Sequence, residues 1–184
     1  SLFTAVIFWA VMKWDEETTA IKFGELDPSA RPMKWIVLIF FLFGLAIGVH
    51  LLGILVIPCI AYVIYFNHYK DVKFGQFIAA GAIGLFVLGF VQAGLIPGTI
   101  SLASSFEVFF RNSVGLPFTT GAIIFFVLLV AALIIPIIVF RKNKIVKVTM
   151  MSLIVMFIGY GSFTTIVIRS NANTPLDENN PENL

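Results

Sequence analysis

The chain alternates long apolar runs with short polar breaks, and the runs have the length of membrane-crossing helices rather than of core strands. The apolar stretches lie at residues 1–12, 35–49, 51–66, 74–97, 116–140 and 145–168. A helix rises 1.5 Å per residue, so about 20 residues cross a hydrocarbon core of ~30 Å. The last three stretches reach that length, the first is short, and 35–49 and 51–66 lie almost back to back. Read as one helix, 35–66 would be about 48 Å long. Read as two, they form a hairpin whose turn, near Gly48, His50 and Gly53, is sunk below the membrane surface.

Basic residues choose between these readings. Of the 12 Lys and Arg, ten fall in three breaks: Lys13, Lys22, Arg31 and Lys34; Lys70 and Lys73; and Arg141, Lys142, Lys144 and Lys147. The hairpin puts all three on one side, which the positive-inside bias makes cytoplasmic. Arg111 and Arg169 then lie opposite. On this path residues 13–34 are a cytoplasmic loop, 98–115 lie at the outer face, and the polar residues 169–184 form an extracytoplasmic linker. Pro58 and Pro136 should kink their helices, and the Pro97-Gly98 and Leu116-Pro117 pairs should mark helix edges.

Composition enforces the membrane reading. Apolar residues make up 59% of the chain and charged residues 12%, with 20 Phe in 184 residues, against ~45–50% and ~25% in soluble domains. The expected fold class is all-α, a polytopic transmembrane helical bundle. A net charge of +2 with its cations at helix ends argues against a nucleic-acid partner. Cys59, alone in an apolar run, reads as a small buried hydrophobe. His50 and His68 are far apart and form no metal-ligand motif. The chain opens in what reads as a helix already under way, and is expected to be part of a larger protein.

Few polar groups remain on the outer side to carry chemistry. In GTISLASSFEVFFRNSVG (98–115), Glu107 and Arg111 are spaced to share one helical face, while Phe106, Phe109 and Phe110 cover another. A short amphipathic helix over about 99–112, lying in the membrane plane, is expected. Glu107 and Arg111 then form either a surface ion pair or part of a ligand cavity. His50 at the sunken turn, where an ionisable group usually faces a cavity, Gln92 near the outer end of its helix, and Arg169, whose guanidinium matches phosphate geometry, complete the candidate substrate-binding set. Gly44 and Gly48, and Gly94 and Gly98, form GxxxG steps suited to close helix packing. Asp177, Glu178 and Glu182 in the tail either meet a cation or another domain, or are solvated.

The strings GLAIGVHLL (44–52), GLIPGTISLASSFEVFFRNSVGLPFTTG (94–121) and IGYGSFTTIVIRSNANTPLDENNPEN (158–183) resemble a family of large bacterial membrane proteins common in Bacteroidetes. That family was catalogued as the DUF2723 group and is related to the protein O-mannosyltransferases of the glycosyltransferase C class. The resemblance implies an internal transmembrane fragment of a glycosyltransferase C-like fold in the bacterial inner membrane. It also implies transfer of a sugar from a lipid-linked donor on the extracytoplasmic side. The catalytic carboxylate, a base or metal-associated acid, is expected in an outer loop before residue 1, and a divalent metal would be held by the full-length protein. Gly48, His50, Glu107, Asn112, Pro117, Arg169, Asn171, Asn173 and Pro175 fall in the resembling motifs without individual roles. Membrane lipids, the lipid-linked donor and the remainder of the full-length chain are the expected partners. A transporter segment, or a structural anchor without chemistry, is the alternative.

Overall fold

The computed structural model describes residues 2–27, 32–49, 51–69 and 71–162, all of them in helices or the turns between them, with no strand among these residues. The helices are α1 (Leu2–Lys22), α2 (Met33–Val49), a 3-10 turn (Leu51–Val56), α3 (Ile57–His68), α4 (Phe74–Gly89), a π segment (Phe90–Leu95), α5 (Ile96–Ser113), α6 (Thr120–Val139) and α7 (Lys144–Gly161). The all-α membrane architecture therefore stands. Three helical runs, Phe74–Ser113, Thr120–Val139 and Lys144–Gly161, are long and apolar enough to cross a membrane, and Met33–Val49 and Gly53–His68 are shorter apolar helices.

The described residues divide into two compact units, one within Ser1–Val56 and Ser152–Leu184, the other within Ile57–Met151. In the first, α1 buries Ile7, Ala10 and Val11, and α2 buries Ile39, Leu42, Phe43 and Ala46 at helical spacing. Trp9 and Trp35 meet edge to face, centroids 5.3 Å apart. The last turns of α7 press against α2 through paired glycines. A Cβ on Gly159 would lie 2.6 Å from the Phe41 carbonyl oxygen, and one on Gly44 would collide with the Met156 carbonyl. Gly44 therefore packs a helix, as its GxxxG step suggested, though its counterpart is Gly159.

The break expected near His50 is present, since α2 stops at Val49 and a 3-10 turn starts at Leu51. The chain folds back there, because Gly53 packs so close to Ala46 that a Cβ added to it would lie 2.6 Å from the Ala46 Cβ. His50 itself lies outside the described residues. Pro58 does not kink a helix. It is the second residue of α3, where a missing N–H costs nothing.

Residues 13–22 are not loop. Helix α1 continues ten residues past the apolar run, through WDEETTAIK. Lys13 pairs with Glu16 at 2.7 Å, and the helix closes in a Schellman turn at Gly24 (φ +75°), with Glu25 N–H donating to the Ala20 carbonyl and Gly24 N–H to that of Ile21. Just beyond the α1–α2 connection, Lys34 Nζ binds Glu17 Oε1 at 2.8 Å. The Trp35 indole N–H and Glu17 Oε2 are both buried beside this pair, short of hydrogen-bond geometry with any partner. The Lys34 hydrogen bond, then the neighbouring Trp35, hold the Glu17 carboxyl below its ordinary value despite the opposing effect of burial.

In the second unit α4 lies against α3 through Gly81 and Gly84. A Cβ on Gly84 would meet Pro58 Cα at 2.8 Å, and one on Gly81 would strike the Tyr62 hydroxyl. Tyr62 stacks on Phe77 at 4.7 Å, and the buried Tyr65 hydroxyl accepts the Lys73 N–H at 3.2 Å, closing the turn between the two helices. The separate helices expected over 74–97 and 99–112 are one continuous run of 40 residues, Phe74–Ser113. It passes through Pro97-Gly98 because the π segment lies just before. Ile96 N–H already bonds five residues back, to Val91, so the ladder is changing register where Pro97 withdraws its donor. Helix α6 begins at Thr120 rather than 116 and carries Pro136 inside it. Helix α7 is described to Gly161, and the expected end at 168 lies outside the described residues.

Candidate functional site

Glu107, Arg111 and the start of α6 come together at the junction of α5 and α6. Gly115 (φ +78°) ends α5 in the left-handed region, and Leu116 N–H returns to the Phe110 carbonyl at 3.1 Å. The chain then reaches Thr119, itself left-handed at φ 78° and making no side-chain cap to α6. The exposed first N–H groups of that helix need an acceptor from elsewhere.

Glu107 supplies it. Thr119 N–H donates to Oε1 at 2.7 Å and Ala122 N–H to Oε2 at 3.0 Å. Gly121 N–H faces the same carboxylate, and Thr120 N–H finds the Pro117 carbonyl at 3.3 Å. One carboxylate, fixed on the preceding helix, thus caps α6 and meets the positive end of its dipole. The approach depends on Gly121, because a Cβ there would lie 2.5 Å from Glu107 Cα and 2.6 Å from the Phe106 carbonyl oxygen. Phe106 packs edge-on against the buried Phe125 at 5.4 Å, fixing the same crossing one turn further on.

Arg111 shares the Glu107 face of α5, as its spacing implied, but its guanidinium lies over the Phe118 ring, 5.2 Å from the centroid. It is exposed. The expected pair has become two arrangements: an acid that holds the next helix and a cation presented on an aromatic platform. A carboxylate accepting these amides is poorly suited to removing a proton, whereas an exposed guanidinium on a flat ring suits a phosphate.

Of the other candidates, Gln92 is exposed and lies within the π segment. It is fifteen residues from Glu107 on one continuous helix, about 22 Å along the axis, so the two side chains do not meet. His50 and Arg169, with the tail acids Asp177, Glu178 and Glu182, lie outside the described residues. Among the described residues no group of three His, Cys, Asp or Glu side chains is gathered to hold a metal. These residues do not fit a divalent ion. Phe118, Thr119 and Gly121 are the junction residues that sequence reasoning missed. The cap joins positions 12 and 15 apart, and no local pattern announces it.

Residues 1–73 match the family described as the Protein O-mannosyl-transferase TMEM260 N-terminal domain. No curated protein and no solved structure matches the chain. The matched stretch holds α1, α2, the 3-10 turn and α3, and ends before the α5–α6 junction. Over those helices, the chain is similar to the N-terminal domain of a protein O-mannosyl-transferase.

Proposed function

We propose that this chain is part of an integral membrane glycosyltransferase that moves a sugar from a lipid-linked donor to an acceptor hydroxyl on the extracytoplasmic side of the bacterial inner membrane. The similarity of residues 1–73 to a protein O-mannosyl-transferase domain is the observation that carries this reading. The three span-length apolar helices agree with it. In such a transfer the acceptor oxygen attacks the anomeric carbon, a general base takes its proton, and the lipid phosphate leaves with the bonding electrons. Arg111, exposed on Phe118, is suited to meet the negative charge that grows on that phosphate. Glu107 keeps the α5–α6 turn in place and is not the base, since its oxygens are engaged. Gln92, His50 and Arg169 stay in the proposal as further contacts along the lipid donor.

Turnover of polyprenyl-phosphate mannose by the natural protein in proteoliposomes tests the reading. Arg111→Gln should lower turnover roughly 30- to 1000-fold, the cost of losing a donor aimed at developing charge. Arg111→Lys should retain an intermediate rate, because an ammonium keeps the charge without the bidentate fork. Turnover of folded Arg111→Gln within about threefold of the parent removes Arg111 from the site. Failure of the parent to release sugar from any lipid-linked donor removes the activity.

A further inference from the structure

We propose that the turn joining α6 and α7 is a binding site for the headgroups of anionic phospholipids. Arg141, Lys142, Lys144 and Lys147 fall within seven residues and are all exposed. Among the described residues no carboxylate forms an ion pair with any of them. The sequence from residue 108 to 176 contains no acid at all. The four cations are therefore left free to meet an anion from outside this segment.

Helix electrostatics point the same way. Arg141 and Lys142 follow the C-terminus of α6, where cations are favoured, but Lys144 and Lys147 occupy the first turn of α7, where the dipole disfavours them. Helix stability does not account for that placement; the positive-inside bias and a bound anion both do. Nor is the backbone the binding element. Asn143 Oδ1 already accepts the Ile145 N–H at 3.0 Å and the Val146 N–H at 3.3 Å, and the Asn143 carbonyl accepts from Lys147 at 3.1 Å. The side-chain cations are left to make the contact, which selects for net negative charge.

Apolar neighbours decide between a lipid and a soluble anion. Ile145, between the cations, is 77% exposed and Phe140, just before them, 55%. A free phosphate leaves both in water. A phospholipid places its headgroup among the cations and its glycerol and acyl groups against Phe140 and Ile145. Both flanking helices have span length, and a turn joining two spans lies at headgroup depth. Clusters of this density beside a membrane span attract anionic lipid.

This inference is independent of the glycosyl-transfer reading and is tested without activity. The detergent-purified protein is titrated with phosphatidylglycerol or phosphatidylcholine of matched chains, and bound lipid is counted by native mass spectrometry. The parent should favour phosphatidylglycerol by at least about tenfold, given about fivefold per cation at a charged surface. The quadruple variant Arg141→Gln/Lys142→Gln/Lys144→Gln/Lys147→Gln should fall to near parity. Should that variant fail to insert, the milder Lys144→Gln/Lys147→Gln should lose a substantial part of the preference while Lys144→Arg/Lys147→Arg keeps it. Lys13→Gln/Lys22→Gln should leave the preference intact. A parent without preference, or Gln variants that retain it, overturns the proposal. Displacement of phosphatidylglycerol by 10 mM inorganic phosphate, but not by NaCl of equal ionic strength, makes free phosphate the ligand and overturns it too.

Discussion

Replacing Gly121 with Ala places one methyl group where α5 and α6 touch. The new Cβ would lie 2.5 to 2.8 Å from Glu107 Cα, the Phe106 carbonyl oxygen and Glu107 N. All three are backbone atoms of a continuous helix and cannot swing away, so α6 must retreat. Restoring ordinary contact from 2.6 Å means a shift of about 0.8 Å, which strains the two amide bonds from Thr119 and Ala122 to Glu107. Overpacking of this kind costs about 1–3 kcal/mol. Against it stands the better helix propensity of Ala, at most about 1 kcal/mol, so the sum is destabilising. For a chain of this size 1 kcal/mol moves Tm by about 2–4 °C, and thermal unfolding in mild detergent should show Gly121→Ala melting below the parent, by up to about 8 °C. Gly98→Ala is the matched control. Its Cβ would meet nothing within 4 Å, so propensity acts alone and Tm should hold or rise. If Gly121→Ala melts with or above the parent while Gly98→Ala behaves as expected, the close crossing at Gly121 is wrong.

Three further outcomes can be checked. Single cysteines at Asn112 and Asn143, in a Cys59→Ala background, should label from opposite faces of sealed vesicles; labelling of both from one face refutes α6 as a span. Glu17 titrates below its ordinary value of 4.5 because of Lys34 first and Trp35 second, so it contributes stability above 4.5 that is lost as pH falls through its folded value. Tm of the parent should therefore drop below about pH 4.5 more steeply than that of Glu17→Gln, and parallel curves would refute the linkage. Ser152 is 1% exposed and its hydroxyl finds no partner among the described residues. Ser152→Ala should thus leave Tm unchanged or raise it by a few degrees, since the loss of an unsatisfied buried group is neutral or favourable; a fall above about 3 °C would show that Oγ has a partner.

Hydrophobic runs mark the apolar helices, and the change from α2 to a 3-10 turn between Val49 and Leu51 lies where charge placement puts the turn of a hairpin. What the runs did not mark is where helices end. Helix α1 passes from apolar to charged sequence without stopping, because the Lys13–Glu16 pair supports it and no Gly or Pro interrupts it before Gly24. Hydropathy reports the solvent, not the hydrogen-bond ladder. Pro97 misled for a related reason: a proline reads as an edge unless a π segment just before it has already shifted the ladder, and nothing in FVQAGL announces that shift. At the candidate site the shared face of Glu107 and Arg111 was legible, being local. The duties of the two residues were not, since they depend on amides of Thr119 and Ala122 and on the Phe118 ring, all brought near by a turn.

The π segment also sets an angular phase. Each residue added to a helix turns everything beyond it by about 100°. Helix α4 offers Gly81 and Gly84 to α3, and α5 offers Phe106 and Glu107 to α6, along one unbroken axis. The extra residue that opens 90–95 into π geometry fixes the angle between those two docking faces. Deleting one residue there would shorten the rod by only about 1.5 Å. It would also rotate the α6 seat about 100° away from its present bearing on α3, so this segment tolerates substitution far better than a change in length.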